Sequence, residues 1–355
     1  MSHSFTVRVP VTSANIGPGF DVVGLPLSLY LTLSVTVTPP ALGDPPHPPR
    51  LLYTGEGADE LPLDAYKNLT THVALYVLRC HRALPRQSLH PRGQIPFGRG
   101  LGSSGAAVIA GVLLADAVCS LNLSRQRVLD FGLMVERHPD NVTAALVGGF
   151  VGSYLRELDH KAEEAALVPL SKVLPEDPTQ LSGVLPDAGE DWGMDSPHPP
   201  HVIGHYVRFG WSESIKAVAL IPRFELSTAK AREVSPLSYS RKDLVFNLQR
   251  LAVLTTALGQ SPPDPDLIYE AMKDKIHQPC RKALIPGLPE VISSITPLTH
   301  PGLLGICLSG AGPTILATGG FEAIAEDARA IFKRQGIEVD WKVLTVVGGS
   351  AVQHS

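Results

Sequence analysis

The residues with the strongest chemical signature lie in one short segment, PFGRGLGSSGAA, from Pro96 to Ala107. Gly98, Gly100, Gly102 and Gly105 carry no Cβ, so the backbone there can curl until several N–H groups converge. An apolar stretch, Ala106 to Ala115, follows at once and reads as a buried helix whose dipole adds partial positive charge at the same point. Converging amides at a helix start make a nest for an anion, most simply a di- or triphosphate. Ser103 and Ser104 add hydroxyls suited to a phosphate oxygen or to Mg²⁺. The plainer alternative is a Gly-rich turn that only caps a core helix.

Two other phosphate motifs fit less well. Gly100 to Gly105 formally matches G-x-G-x-x-G, the dinucleotide fingerprint. That fingerprint needs an apolar strand just before it and an acidic residue about 20 positions on. Leu89 to Pro96, LHPRGQIP, does not read as a buried strand, and position 125 is Arg. A Walker A loop fails because no Lys follows the last glycine.

The elements that must hold this loop are legible in the hydrophobic pattern. Phe5, Val7, Val9 and Val11 alternate with polar residues, and Leu27 to Thr38 alternates strictly, so both predict antiparallel strands with one face in a core. Asn68 caps a predicted helix that runs to about Arg82, and Ser124 caps another that ends near Glu136. Gly148 to Phe150 opens a strand, Lys216 to Pro222 forms one, and Gly305 to Leu308 forms a short one. Ser240 and Asp243 start a helix that ends at Gly259, and Phe321 to Gln335 predicts a helix stopped by Gly336. Helices and antiparallel strands alternate irregularly, which predicts a two-domain α+β protein. Pro39 to Arg50 and the stretch 175–214 are Pro-rich and weakly periodic, and read as surface excursions.

Composition excludes several classes. Of 355 residues, 44% are hydrophobic and 18% charged, enough apolar material for a large core. The formal net charge is −4 and no basic run occurs, so a nucleic-acid groove is not expected. Four cysteines without a C-x-x-C pair read as reduced thiols of a cytoplasmic protein. The N-terminus has no long apolar run and no segment is long enough to cross a bilayer, so no membrane association is expected. His198, His201 and His205 lack partner cysteines and read as a solvated loop rather than a metal tract.

Three separated motifs together resemble the GHMP small-molecule kinases. Val9 to Asp21, VPVTSANIGPGFD, resembles the first family motif in its homoserine kinase form, Pro96 to Ala107 the second, and Leu308 to Thr314, LSGAGPT, the third. Glu136 to Val142, ERHPDNV, is likewise particular to homoserine kinases, and the resemblance spans nearly the whole chain. It implies ATP-dependent phosphorylation of L-homoserine to O-phospho-L-homoserine in the threonine pathway. It implies the two-domain GHMP kinase fold: an N-terminal domain like the second domain of ribosomal protein S5 (residues 1–165) and a ferredoxin-like C-terminal domain (166–355) with a Pro-rich insertion at about 175–214. The Pro-rich segments suggest a fungal-type enzyme, and the family implies a homodimer.

The resemblance also assigns residues. Pro96, Gly98, Arg99, Gly100, Leu101, Gly102, Ser103, Ser104 and Gly105 would bind ATP, with Asn68 near the adenine, although an N-cap explains Asn68 equally well. Ser104 and Glu136 would hold Mg²⁺; the plainer reading of Glu136 is a salt bridge to Arg137 or Arg127. TAKAR, from Thr228 to Arg232, and Arg281 resemble the segments that bind the substrate carboxylate, and the planar fork of Arg suits that group. Asn15 and Asp21 would take the ammonium, or merely hold a turn. Asn141 would touch the substrate hydroxyl, and Asp140 occupies a position that acts as a base in some relatives. His138 would bond substrate or order the turn before Pro139, and Gly310 would let the backbone approach the substrates. Arg137 stands where many relatives carry Gly.

Overall fold

Strict alternation does produce the two longest strands. In the computed structural model of the chain, β1 (His3–Ala14) and β2 (Val23–Thr38) pair antiparallel, with Phe5, Val7, Val9, Leu31, Leu33, Val35 and Val37 buried on one face. The structure describes residues 3–38, 52–54, 62, 64, 66–82, 88–94, 100–168, 170–174, 196–318 and 321–354. Pro39 to Arg50 and residues 175–195 therefore lie outside the described residues.

The register of β1 against β2 shifts at Pro10, which faces Tyr30, while Val11 faces Leu27. A proline cannot donate to the ladder, so an irregularity is where it can sit in a paired strand. Beyond the shift, Ser28 bonds instead to Thr345: its N–H donates to the Thr345 carbonyl at 2.9 Å, and its hydroxyl accepts from the Thr345 N–H at 3.0 Å. At this shift β2 thus contacts the C-terminal segment of the chain.

The larger sheet is completed by β3 (Leu52–Thr54), β4 (Ser88–Gln94), β5 (Val151–Leu155), β6 (Gly204–Arg208) and, near the C-terminus, β11 (Ala351–His354). A strand does precede the Gly-rich loop, though not the apolar one the fingerprint needs: β4 pairs antiparallel with β2. It carries Pro91 and Gly93 and lacks the apolar run that reveals a strand by pattern. It also pairs parallel with the short β3, so it sits in a mixed sheet, unlike a dinucleotide-binding unit, whose strands all run parallel. β6 is a second correction, because the Pro-rich excursion expected over 175–214 contains a strand paired with β5. Sheet membership also does not follow chain order, since β6 and β11 come from the C-terminal half.

One face of this sheet is covered by α1 (Leu69–Cys80), α2 (Ser103–Cys119), α3 (Arg125–Glu136) and α4 (Pro139–Val147). α2 is apolar all round because it lies at the centre, with Val108, Ile109, Ala110 and Val112 fully buried. Short helices α5 (His160–Ala166) and α6 (Leu170–Val173) follow β5. The smaller sheet has the order β10 (Val339–Leu344), β7 (Ala217–Pro222), β9 (Ile315–Thr318), β8 (Gly305–Leu308), all antiparallel. Its chain order, strand–helices–strand–strand–helix–strand, is the ferredoxin-like pattern. The helices are α7 (Thr228–Glu233), α8 (Arg241–Ala257), α9 (Pro265–Ala271), α10 (Gln278–Arg281), α11 (Leu288–Ser294) and α12 (Phe321–Arg334).

Both parts share a core. Val11, Ile16, Leu25, Leu27 and Leu101 pack with Ala217, Leu254, Met272 and Leu316 in one buried cluster. Such a cluster fixes the two sheets relative to one another, and the three motifs meet at its rim. Cys80 and Cys307 are buried, and burial pushes both thiols up to about 12; Cys119 is raised for the same reason. No cysteine is in a disulfide. A disulfide-exchange reagent added to the native protein at pH 8 should reach only the half-exposed Cys119 and Cys280, with Cys80 and Cys307 reacting on unfolding. Rapid modification of all of them in the native state would contradict this packing.

Candidate active site

The three motifs converge on a cavity of about 240 Å³ between the two sheets. Each reaches it by a different device. The first motif leaves β1 in a turn of left-handed residues, with φ +72° at Asn15, +39° at Ile16 and +73° at Gly17. The second forms the start of α2: Gly102 is its N-cap at φ +59°, and no side chain caps it. The third is the turn between β8 and β9. Backbone bonds knit them together: Thr12 N–H to Leu101 O at 3.0 Å, and Gly310 N–H to Ala14 O at 3.0 Å. The Ser309 hydroxyl donates toward Gly100 O at 2.6 Å and Ser13 Oγ at 2.8 Å.

The uncapped N-terminus of α2 opens into the cavity, which Gly100, Gly102, Ser103 and Ser104 line. Its first amides have no intrahelical partner, which is the property an anion site needs. Leu101 points the other way, into the shared core, and Gly105 packs against Asn141, where a Cβ would lie 3.1 Å from Asn141 Cβ. Pro96, Gly98 and Arg99 lie outside the described residues.

Asp21 and Arg232 both line the cavity but bind each other, with Arg232 Nη2 to Asp21 Oδ1 at 2.7 Å and Nη1 to Oδ2 at 2.9 Å. This two-pronged pairing was not expected from sequence, where each was assigned to an opposite charge of the substrate. Spacing could not reveal it, because the two residues are 211 positions apart. The side chains are 37% and 31% exposed, so solvent screens the pair and its net contribution is about 1 kcal/mol or less. Burial works against the Arg232 charge, but the Asp21 hydrogen bonds and the Asp140 and Glu136 charges outweigh it and raise its pKa.

Arg281 lies beside them, fully buried. Its Nη1 donates to Gly310 O at 2.9 Å and its Nε to Ala231 O at 3.3 Å, and its guanidinium faces the Phe20 ring at 4.9 Å. Burial, then the neighbouring Arg232 cation, lower its pKa. Asn15 ties motifs together: its Nδ2 donates to Gly310 O at 3.0 Å and its Oδ1 accepts from the Asp21 N–H at 3.1 Å. Thr228 lines the cavity at the start of α7.

The opposite wall comes from the turn between α3 and α4. Asn141 is oriented by two contacts, accepting from the Thr12 hydroxyl at 2.6 Å and donating to Asp140 Oδ1 at 3.3 Å. Asp140 is buried, and its Oδ1 also accepts the Asn141 N–H at 2.8 Å. His138 stands between two carboxylates, with Nε2 3.4 Å from Glu136 Oε2 and Nδ1 3.6 Å from Asp140 Oδ1. Burial opposes its protonation, but both carboxylates outweigh burial and raise its pKa.

Glu136 does not line the cavity and sits just behind it, 10% exposed. The plainer salt-bridge reading fails, because Arg127 pairs with Asp130 at 3.3 Å and Arg137 donates to Val168 O. Arg137 holds the left-handed turn at φ +62° that ends α3, the conformation a glycine would adopt there without strain. Asn68 is an N-cap: its Oδ1 accepts from the Thr70 and Thr71 N–H groups, its Nδ2 donates to Pro62 O, and it does not line the cavity. His198 and His205 pack against the rings of His81 and Tyr154, and among the described residues no cluster of three or more His, Cys, Asp or Glu could hold a metal.

Residues 68–149 match the model of the GHMP kinases N terminal domain. The chain is 53% identical to homoserine kinase of Saccharomyces cerevisiae, over 97% of each chain. It is 49% identical to that of Candida albicans, over 99% of this chain and 98% of the other. This chain belongs to the homoserine kinases of the GHMP family. Its fold matches the crystal structure of homoserine kinase from Cytophaga hutchinsonii with a TM-score of 0.71 at 24% identity, covering 98% and 97% of the two chains. Within this homoserine kinase, Thr12 and the Asp274–Gln278 segment also shape the site, and neither stood out from sequence. Thr12 lies within the first motif without a role of its own in the sequence, and no motif marks Asp274 or His277.

Proposed function

We propose that the chain transfers the γ-phosphoryl group of ATP to the side-chain hydroxyl of L-homoserine, in the threonine pathway. The observation that carries this is the Arg232–Asp21 pair beside Arg281, in the same cavity as the uncapped start of α2. A zwitterionic amino acid brings one carboxylate and one ammonium. Arg232 and Arg281 suit the first and Asp21 the second, so the substrate replaces a weak internal ion pair with two charge-matched contacts at little cost. Segments before residue 166 supply the phosphate cradle and those after it both arginines.

In the reaction, the hydroxyl oxygen forms a bond to the γ-phosphorus, the bond from γ-phosphorus to the β–γ bridging oxygen breaks, and ADP leaves with that oxygen. Asn141, held by Thr12 and Asp140, orients the hydroxyl. Asp140 Oδ2, which no hydrogen bond engages among the described residues, takes its proton. Positioning supplies most of the rate in such transfers. Ser104, which lines the cavity, and Glu136, which lies outside its lining beside His138, are the hydroxyl and carboxylate that would hold Mg²⁺, with waters and phosphate oxygens as its other ligands. Bound there, Mg²⁺ would neutralise phosphate charge. The setting is cytoplasmic and the assembly a homodimer of fungal type, as the reduced thiols and the family suggest.

An ADP-release assay with homoserine, serine, threonine, mevalonate and galactose tests the reading. Turnover with another of these and none with homoserine would end it. Asp21→Asn removes a charge-assisted hydrogen bond worth about 1.5–3 kcal/mol, so the homoserine KM should rise about 10- to 150-fold. The ATP KM should stay unchanged. An unaltered homoserine KM would remove Asp21 from the ammonium site.

A further inference from the structure

Behind the arginines lies a buried residue that the chemistry above does not use. His277 is 0% exposed and is the N-cap of α10, the helix that carries Arg281. Its ring reaches across to the first motif in two ways. Nε2 lies 2.8 Å from Gly17 O, and the ring stacks on Phe20 with centroids 5.4 Å apart and planes 19° from parallel. Gly17 O can only accept, so the proton is on Nε2. Nδ1 is then a bare acceptor, and among the described residues it has no hydrogen-bond partner. Burial lowers the ring's pKa, against the pull of the nearby Asp274 carboxylate.

The turn that His277 touches is strained. Asn15, Ile16 and Gly17 are all left-handed, and so is Asp21 at φ +56°. A β-branched residue such as Ile16 persists there only where its surroundings impose the conformation. Phe20, the next residue before Asp21, carries the guanidinium of Arg281 over its ring at 4.9 Å and that of Arg232 at 5.6 Å. One side of the His277 ring therefore sets Phe20, on which both arginines rest, while its Nε2 sets Gly17.

The backbone of His277 is as firmly held. The Asp274 carboxylate, 0% exposed, accepts from the N–H groups of Ile276 at 2.9 Å, His277 at 3.1 Å and Gln278 at 2.7 Å. Gln278 Oε1 accepts the Leu308 N–H at 2.7 Å, next to the third motif, and the His277 carbonyl accepts the Arg281 N–H at 3.1 Å. The segment is anchored on one side and clamps the Asn15–Asp21 turn on the other.

We infer that His277 is a positioning residue for the amino-acid subsite, fixing the distance between Asp21 on the first-motif turn and Arg281 on α10. This rests on the reading of those two residues under Proposed function. His277 touches neither substrate. Its removal should act on the amino-acid subsite and spare the nucleotide side, which α2 builds independently.

The test is steady-state kinetics of wild type and of His277→Gln, His277→Phe and His277→Ala, with melting temperatures alongside. Gln retains an N–H donor for Gly17 O, and Phe retains the stack without the donor. The expected result is a homoserine KM at least tenfold higher for Ala, intermediate for Phe and within about threefold of wild type for Gln, with the ATP KM within twofold in all. A folded Ala or Phe variant with the wild-type homoserine KM overturns the inference. Parallel rises in both KM values overturn it too, as does failure of all three variants to fold, since His277 would then be core and nothing more. Lack of wild-type turnover with homoserine would instead strike the function itself.

Discussion

Gly102→Ala should lower kcat/KM for ATP by about 100-fold or more. An alanine Cβ at 102 would sit 1.9 Å from Thr12 Oγ1 and 2.5 Å from Asn141 Oδ1. Neither atom can easily retreat, because the two are hydrogen-bonded to each other at 2.6 Å. The position also has φ +59°, which a Cβ disfavours. The start of α2 would have to shift, taking the phosphate amides with it, and a displacement near 1 Å can cost about 10²-fold in rate. Gly302→Ala is the control, since Gly302 has a left-handed φ but no atom of the described residues within 4 Å of its Cβ position. It should cost about 1 kcal/mol of stability and leave kinetics intact. Equal kinetic losses in the two variants would show that the cradle is not where the phosphates bind.

Glu136→Ala should reduce kcat by about 10²- to 10³-fold, the range seen when one stabiliser of transition-state charge is removed. The Mg²⁺ concentration for half-maximal rate should rise with it, and Ser104→Ala should move both quantities in the same direction. The two arginines that could have made Glu136 a plain salt-bridge partner are engaged elsewhere, and His138 is its neighbour at 3.4 Å. A carboxylate at the end of a helix faces the negative pole of the dipole, a place that favours a neighbouring cation, and Mg²⁺ would supply one. Kinetics across a Mg²⁺ titration checks the role: near-normal kcat at saturating Mg²⁺ would withdraw Glu136 from it.

Local signals were read where one physical cause dominates. Period-two alternation marked β1 and β2, and side-chain caps marked the starts of α1, α3 and α8 at Asn68, Ser124 and Ser240. Apolarity all round marked α2 as central. These signals failed where tertiary contact overrides propensity. β4 reads as loop because Pro91 and Gly93 interrupt it, yet the long β2 offers it a complete ladder. β6 lies in a Pro-rich stretch and is a strand because β5 has a free edge.

The sequence by itself determined which three segments meet at the cavity, because each is contiguous and encodes its own turn: glycines before α2, Asn15 to Asp21 after β1, Ser309 to Gly312 after β8. Only the tertiary structure decided who binds whom. Asp21 meets Arg232 across 211 residues, Glu136 finds His138 instead of an arginine, and His277 reaches Gly17 across 260. Pattern and propensity act over a turn or two of chain, whereas an ion pair or a buried hydrogen bond depends on angstroms in space. Those distances are set only when two sheets close on one shared core.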